Sequence, residues 1–232
     1  MSQLNTNQSE ELRHERKFLI DDFSAAEVEQ LLKFHPACFQ EIYHTRVVNN
    51  IYFDTFGFTS YYGNLDGDPD RTKVRIRWYG ELFGKVLEPT LEYKIKKGLL
   101  GRKDFYQLSP FFLNEKFSKQ EILLALNSPH VPKKVSDGIR SMNPVLLNSY
   151  TRKYFISKDK QFRITIDKDI RYFKISYMNN LFFNKVKDNA SVVVELKYHS
   201  SLEQDAKRIG NELPFKLTKN SKYLQGVDRI LF

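Results

Sequence analysis

Seven residues from Lys73 to Tyr79 alternate strictly between basic or polar and apolar side chains. The basic positions are Lys73, Arg75 and Arg77, and the positions between them carry Val, Ile and Trp. Because successive side chains of a β-strand point to opposite faces, this spacing predicts a strand with one wholly cationic face. Guanidinium and ammonium groups arranged in this way bind carboxylates and phosphates.

The same alternation of charged and apolar side chains returns in other parts of the chain, which predicts several amphipathic strands. The strands predicted from it cover residues 13–20, 90–96, 148–157, 161–170 and 191–198. A long stretch rich in β-branched and aromatic residues, 41–54, predicts another strand. Residues 102–108 are predicted to return from a hairpin at residues 97–101.

Helices are predicted between these strands from capping signals and from apolar residues at helical spacing. Ser24 and Glu27 form a capping box ahead of a helix that ends at Phe34, before Pro36. Ser201 and Gln204 form the second predicted capping box. Shorter helices are expected at 118–126, at 132–142 and near the carboxyl end.

The composition is that of a folded, basic protein with many aromatic residues. Of 232 residues, 41% are hydrophobic and 14% aromatic, and the formal net charge is +9. This size and apolar content suit one α+β domain at residues 13–232, preceded by a disordered tail at 1–12. The positive charge indicates an anionic partner, which composition alone leaves open among nucleic acid, an acidic membrane surface and a phosphorylated molecule.

Several classes of site and location are disfavoured by the sequence. Asp66 to Asp70 alternates like a calcium loop, but Arg71 and Arg77 stand where that loop needs Gly and Glu. The five histidines lack metal-ligand spacing, and the single Cys38 provides neither a disulfide nor a cysteine metal site. With no signal peptide and no apolar run of about 20 residues, we expect a cytoplasmic protein, at most peripheral to a membrane.

The charged faces of the strands can be placed in two ways. In a β-sandwich they would face solvent, and alternation alone is compatible with that arrangement. The opposite faces are bulky and apolar, however, and amphipathic helices are available to cover them. This favours helices packed outside an antiparallel β-barrel whose lumen is polar.

An interior with more cations than carboxylates implies a bound polyanion or abundant water, because an unpaired buried charge costs several kcal/mol. The few inward carboxylates could then bind a divalent metal ion that also contacts phosphate oxygens.

The chain resembles the triphosphate tunnel metalloenzymes, the CYTH-like superfamily, and within them the catalytic domain of the vacuolar transporter chaperone (VTC), a polyphosphate polymerase. The similarity covers roughly residues 13–229 in the family's order. The motifs that carry it are Glu15-Arg-Lys17-Phe, Asn50-Ile-Tyr-Phe-Asp54, Val74-Arg-Ile-Arg-Trp-Tyr-Gly80, Leu91-Glu-Tyr-Lys94, Tyr150-Thr-Arg152, Phe162-Arg-Ile-Thr-Ile-Asp167, Val194-Glu-Leu-Lys197 and Ser221-Lys222-Tyr-Leu-Gln-Gly226.

This resemblance implies an antiparallel tunnel of about eight strands and a set of site residues. The residues implied to clamp phosphates during catalysis are Arg75, Arg77, Arg152 and Arg163. Further phosphate-binding residues implied are Lys17, Lys94, Arg102, Tyr150, Ser221 and Lys222. A manganese or magnesium ion (Mn2+ or Mg2+) is implied to bind Glu195, with Glu15 and Glu92 as candidate second carboxylates that could equally pair with neighbouring cations.

One position departs from the superfamily, whose members often open with Glu-x-Glu-x-Lys. Arg13 stands at the first of these positions, so one acidic ligand is missing. Since the hydrolytic and cyclase-like members depend on more carboxylates, the change favours phosphate-chain binding or polymerisation.

Three functions follow as alternatives from the sequence. The first is an ATP-dependent polyphosphate polymerase, whose partners are ATP and inorganic polyphosphate; a membrane-protein partner not encoded here could receive the product. The second is a hydrolase of tripolyphosphate or nucleoside triphosphates with the same fold. The third is a non-catalytic polyanion-binding module, for which a nucleic-acid ligand is disfavoured because Trp78 lies opposite the cationic face.

Overall fold

An antiparallel sheet organises the part of the chain that the computed structural model describes, residues 13–98, 100–178, 180–183 and 185–231. The strands are β1 (Arg13–Ile20), β2 (Gln40–Asp54), β3 (Arg71–Tyr79), β4 (Gly84–Val86), β5 (Thr90–Lys97), β6 (Leu100–Gln107), β7 (Phe111–Leu113), β8 (Asn143–Ile156), β9 (Arg163–Phe173), β10 (Lys185–Asp188) and β11 (Val192–His199). The α-helices are α1 (Ala25–Phe34), α2 (Thr59–Leu65), α3 (Lys119–Ala125), α4 (Lys133–Arg140), α5 (Glu203–Asn211) and α6 (Lys222–Leu231). The tail predicted at 1–12 lies outside the described residues.

Eight strands follow one another across the main sheet in the order β1–β11–β9–β8–β2–β3–β5–β6, and β10 adds to β9. The pairings are antiparallel throughout. The sheet curls into a half-barrel, so that Lys94 Nζ of β5 lies 4.0 Å from Glu15 Oε2 of β1, near the other end of the strand order. This confirms the predicted α+β tunnel-like fold.

The apolar faces of the strands point outward and are covered by helices. Val74, Ile76 and Trp78 of β3 pack with residues of α3 and α4 in one buried cluster. Residues of β1, β9 and β11 form a second cluster with α1 and α5. Burial of these faces fixes the direction in which the charged side chains point, because alternate residues of a strand occupy opposite faces.

Helix α6 differs from the helices on the convex side, because it packs on the concave face at one end of the half-barrel. Tyr223 and Val227 of α6 join a buried cluster with inward-facing Tyr52, Tyr172 and Val193. Gly226 permits the close approach, since a Cβ at this position would lie 2.6 Å from Tyr172 Cδ1. One end of the concave face is therefore apolar and filled by a helix.

The two predicted capping boxes have different outcomes. At Ser24 the box is formed, with Oγ accepting from the Glu27 N–H and the Glu27 carboxylate accepting from the Ser24 N–H. The prediction at Ser201 was wrong, because a short 3-10 turn spans Ser200–Leu202 and α5 begins only at Glu203. The Ser201 hydroxyl instead lies 2.7 Å from His199 Nδ1.

Helix length bears on the membrane question. Across the described residues, the structure contains no helix with both the length and the apolar character needed to cross a membrane.

Replacing Gly226 by Ala tests the close packing of α6. We expect Gly226→Ala to lower stability by about 1–3 kcal/mol, because the added methyl group overlaps Leu146 and Tyr172. Urea unfolding measures the change. The control is Gly57→Ala, where a Cβ meets nothing within 4 Å; equal stability of the two variants would contradict the packing described.

Candidate functional site

The concave face of the half-barrel carries a concentrated set of charges. The register places inward-facing residues of β1, β3, β5, β8, β9 and β11 beside one another. Its cations outnumber its carboxylates. The cations include Lys17, Lys73, Arg75, Arg77, Lys94, Lys103, Arg152, Arg163, Lys197 and Lys222, and the carboxylates include Glu15, Glu92, Asp167 and Glu195.

Arg75 and Arg77 of β3 share one carboxylate, that of Glu92 on β5. Arg75 Nε and Nη2 lie 2.7 Å and 2.5 Å from Glu92 Oε2, and Arg77 Nη1 lies 3.6 Å from Oε1. Arg77 Nε also donates to Asn50 Oδ1 at 2.9 Å. These contacts hold both guanidinium planes in place. Because one carboxylate serves two arginines, one positive charge is left to be offset, which suits recognition of a phosphate.

Asp167 on β9 joins a second pair of cations. Its carboxylate accepts from Arg152 Nε at 2.5 Å and Nη2 at 2.6 Å, and from Lys222 Nζ at 2.6 Å. All three residues are buried. Lys222 begins α6, so the helix that fills one end of the concave face also supplies a cation to its centre.

Glu195 on β11 lies among three cations. Lys17 Nζ is 3.2 Å from Oε1, while Lys197 Nζ and Arg152 Nη2 are 2.9 Å and 3.3 Å from Oε2. Burial raises the pKa of Glu195, but these neighbours outweigh burial and hold that pKa well below its usual value. Glu195 is therefore ionised at neutral pH.

Lys73 is held by a hydroxyl group and lies among other cations. Its Nζ donates to the Ser221 hydroxyl at 3.0 Å. Burial, together with the ammonium groups of Lys17 and Lys94, lowers the pKa of Lys73 to about 7. A phosphate placed beside Lys73 would offset this repulsion and favour the protonated amine.

Tyrosine side chains lie among these cations. Tyr150 is 2% exposed, and its ring lies 5.3 Å from the Arg152 guanidinium carbon and 4.8 Å from Lys222 Nζ. Burial raises the pKa of Tyr150, but Arg152 and Arg77 outweigh burial and lower it overall. Trp78, predicted to lie opposite the cationic face, does lie in the outer core and is 2% exposed.

Arg163 lies at the end of the concave face away from α6. It is exposed and is paired in register with Lys197. Together with Arg152 and Tyr154 the two cations line a cleft of about 190 Å³. The predicted arginine set is thus split between a buried centre and an open mouth.

Arg102 is not brought to the concave face. In the β5–β6 hairpin it pairs with the outward-facing Ile95. Its side chain is 72% exposed and donates a hydrogen bond to the Asp104 carboxylate. The inward position belongs to Lys103, which is opposite Lys94. The cause is the short connection after Lys97, which pairs directly with Leu100 and fixes the phase of β6.

Besides Lys103, three residues that were not predicted as site residues lie on the concave face. They are Lys73, Asp167 and Lys197, each of which follows the period of two from a predicted site residue on its own strand. The alternation of strand side chains was therefore enough to predict that all three face the same side as the predicted site residues. The pairing of Asp167 with Lys222 had no such signal, because 55 positions separate the two residues.

The carboxylates can be tested as ligands for the divalent metal that the resemblance implies. Among the described residues no group of three or more potential metal-ligating side chains lies together. Glu15 and Glu195 do lie close, one on each side of Lys17 Nζ at 2.9 Å and 3.2 Å. Two carboxylates with phosphate oxygens suit Mg2+, whereas Glu92 is occupied by Arg75 and Arg77.

Comparison with sequence families decides where the chain belongs. A sequence profile of the VTC domain matches residues 12–231. The chain belongs to the VTC-domain family. A comparison with curated proteins finds no match.

Solved structures are similar to this VTC-domain protein in fold. A putative adenylate cyclase from Vibrio parahaemolyticus has a TM-score of 0.51 at 10% identity, covering 92% of this chain and 96% of that one. The PH1819 protein from Pyrococcus horikoshii OT3 has a TM-score of 0.49 at 12% identity, with 93% and 96% covered. A putative adenylyl cyclase, HpAC1 from Hippeastrum, has a TM-score of 0.46 at 14% identity, covering 92% of this chain and 93% of that one. The Vibrio structure supports the fold alone.

Lys73→Met tests the repulsion among the inward cations. A lysine whose folded-state pKa is lowered destabilises the protein most below that pKa, and the effect fades as pH rises from about 7 towards the usual value of 10.5. We therefore expect Lys73→Met to raise the melting temperature by several degrees at pH 6 and by less at pH 9.5. The exposed Lys85 provides the control, Lys85→Met; a pH-independent gain at Lys73 would contradict the repulsion.

Asp167→Asn tests the buried ion pairs. Because Arg152 and Lys222 would lose their shared carboxylate, we expect a loss of about 3 kcal/mol in urea unfolding. Tripolyphosphate should restore part of the loss by supplying anionic oxygens. Asp205→Asn, at an exposed pair with Arg208, should cost less than about 1 kcal/mol. A similar cost for both variants would argue against the buried cluster.

Proposed function

We propose that this VTC-domain protein is a polyphosphate polymerase that transfers the terminal phosphoryl group of ATP to a growing polyphosphate chain. The observation that carries the proposal is the convergence of buried and half-buried cations on the concave face, where carboxylates offset only part of their charge. A linear chain of phosphates supplies repeated anionic oxygens and can offset the remainder.

Three arginines would hold the reacting phosphates. Arg75, Arg77 and Arg152 present guanidinium groups already oriented by Glu92, Asn50 and Asp167. Arg75 and Arg77 could each turn a pair of N–H groups to a phosphate, and such bidentate pairing fixes orientation as well as charge. Arg152, whose Nε and Nη2 contact Asp167 and Glu195, would present Nη1. Lys17, Lys73, Lys94 and Lys222 would add point charges along the chain.

The reaction requires positioning and charge stabilisation rather than a protein nucleophile. A terminal oxygen of the polyphosphate chain attacks the γ-phosphorus of ATP. The bond between that phosphorus and the β–γ bridging oxygen breaks, and ADP leaves with the electron pair. Arg75, Arg77 and Arg152 would stabilise the charge that develops on the transferred group and on ADP.

Glu15 and Glu195 would hold a Mn2+ or Mg2+ ion, whose charge would assist neutralisation of the phosphate oxygens. The surrounding lysines lower the pKa of both Glu15 and Glu195 against the effect of burial, which favours the ionised carboxylates.

A nucleic-acid-binding function is less well supported. Such a module would expose its cations to a large polyanion, and its affinity would depend steeply on salt. Here Arg152 and Lys222 are 7% and 8% exposed. Their position favours a narrow ligand that enters the concave face.

Product analysis tests the proposal. Purified protein is incubated with ATP, Mn2+ and a short polyphosphate primer, and long chains are resolved on a gel. We expect chains from the wild type, and a loss of about 10²–10³-fold in rate for Arg75→Ala, because a preorganised charge contact would be removed. Arg102→Ala, on the convex side, is the matched control and should retain activity.

The other outcomes of this assay would each change the proposed function or the assigned residues. Orthophosphate without long chains would replace the polymerase with the hydrolase. Normal turnover by Arg75→Ala would contradict the arginine assignment. Binding of tripolyphosphate without any turnover would leave a polyanion-binding module.

A further inference from the structure

A cluster of three tyrosines surrounds Arg46 at the end of the concave face away from α6. The Arg46 guanidinium carbon lies 5.0 Å from the Tyr43 ring centroid, 5.7 Å from that of Tyr79 and 5.6 Å from that of Tyr154. These four residues are called the tyrosine collar. Tyr43 and Tyr154 also meet edge to face, with centroids 5.6 Å apart. Aromatic rings packed around a guanidinium group form a surface on which another flat ring can stack.

The tyrosine collar continues the inward faces of the strands that carry the phosphate-binding cations. Tyr79 follows Arg77 by two residues on β3, and Tyr154 follows Arg152 by two residues on β8. Arg46 is opposite Arg152 in the β2–β8 register. Two residues along a strand span about 7 Å. The tyrosine collar therefore lies about 7 Å along the strands from the central arginines, towards the open mouth. This distance is about that of the ribose between the base and the phosphates of a nucleotide.

The rings of the tyrosine collar are accessible from the mouth. Tyr43 and Tyr79 are 51% and 53% exposed. Tyr43 and Tyr154 line the same cleft of about 190 Å³ as Arg152, Arg163 and Lys197. A flat ligand in this cleft would meet aromatic faces at one end and cations at the other.

We propose that the tyrosine collar binds the base of a nucleoside triphosphate whose phosphates lie on the central arginines. The inference rests on the proposed function, because it takes those arginines as the phosphate site, and it assigns the end of the substrate that carries the nucleoside. Stacking on tyrosine and on the Arg46 guanidinium plane accepts any base, since every base has a π-face. Discrimination among bases is expected to be weak.

A second ligand chemistry could occupy the same place. Arg46 could act as one more cation for a phosphate chain, in which case the tyrosines would only hold its side chain in position. If the tyrosine collar binds a base, tyrosine substitutions should weaken a nucleotide and not a bare phosphate chain. Measuring the affinity of each variant for both ligands therefore separates the two cases.

The experiment compares a non-hydrolysable ATP analogue with tripolyphosphate in EDTA, by calorimetry. We expect Tyr43→Leu and Tyr79→Leu each to weaken the ATP analogue by about 5- to 100-fold and to leave tripolyphosphate within about twofold of wild type. Tyr43→Phe and Tyr79→Phe keep the ring and should retain affinity for the analogue. Tyr62→Leu, at an exposed tyrosine of α2, is the control.

Four results would overturn the inference. An equal loss for both ligands would mean that the tyrosines shape the phosphate site, and no loss for either would mean that the tyrosine collar is only packing. A wild-type protein that binds tripolyphosphate as tightly as the analogue would also reject the base site and leave the phosphate site standing. Failure of the wild type to bind either ligand, in EDTA and again with Mn2+, would reject the proposed function together with the inference.

A second measurement covers variants that fail to fold. Saturation-transfer NMR on the wild-type chain should show saturation of the adenine protons of the bound analogue. Saturation confined to the ribose, or absent, would overturn the base site without any substitution.

Discussion

Cations crowded on a concave protein surface are stable only where carboxylates or bound anions offset their charge. In this half-barrel four carboxylates are distributed so that each contacts two or more cations. Asp167 joins Arg152 to Lys222, and Glu195 lies among Lys17, Arg152 and Lys197. The compensation is incomplete, as the lowered pKa of Lys73 indicates. Under the proposed function, the same deficit that limits stability without ligand would provide the affinity for a polyanion.

The two ends of the concave face differ because α6 fills only one of them. Its apolar residues pack against Tyr52, Tyr172 and Val193, while Lys222 at its start reaches Asp167. At the other end the inward faces stay open and carry Arg163, Lys197 and the tyrosine collar. Apolar, cationic and aromatic zones thus follow one another along the strands. Under the proposed function, an elongated ligand would enter from the open, aromatic end.

Much of the candidate site could be predicted from strand periodicity and from resemblance to the VTC family. Alternation placed Arg75 and Arg77 on one face, and the structure brings them together with Arg152, Lys17 and Lys222. Arg102 could not be placed correctly, because the side on which a residue of β6 lies depends on the number of residues in the hairpin connection. A change of one residue in that connection would reverse every side chain of the strand.

What the sequence determined by itself is local: the period of two in the strands, the capping box at Ser24 and the excess of positive charge. These depend on neighbours a few positions away, so their physical causes are present in a short stretch of chain. Only the tertiary structure decided that α6 lies on the concave face, that Asp167 meets Lys222, and that three tyrosines from β2, β3 and β8 surround Arg46. Those contacts depend on sheet register and curl, which arise when distant strands pair and bury their apolar faces under helices.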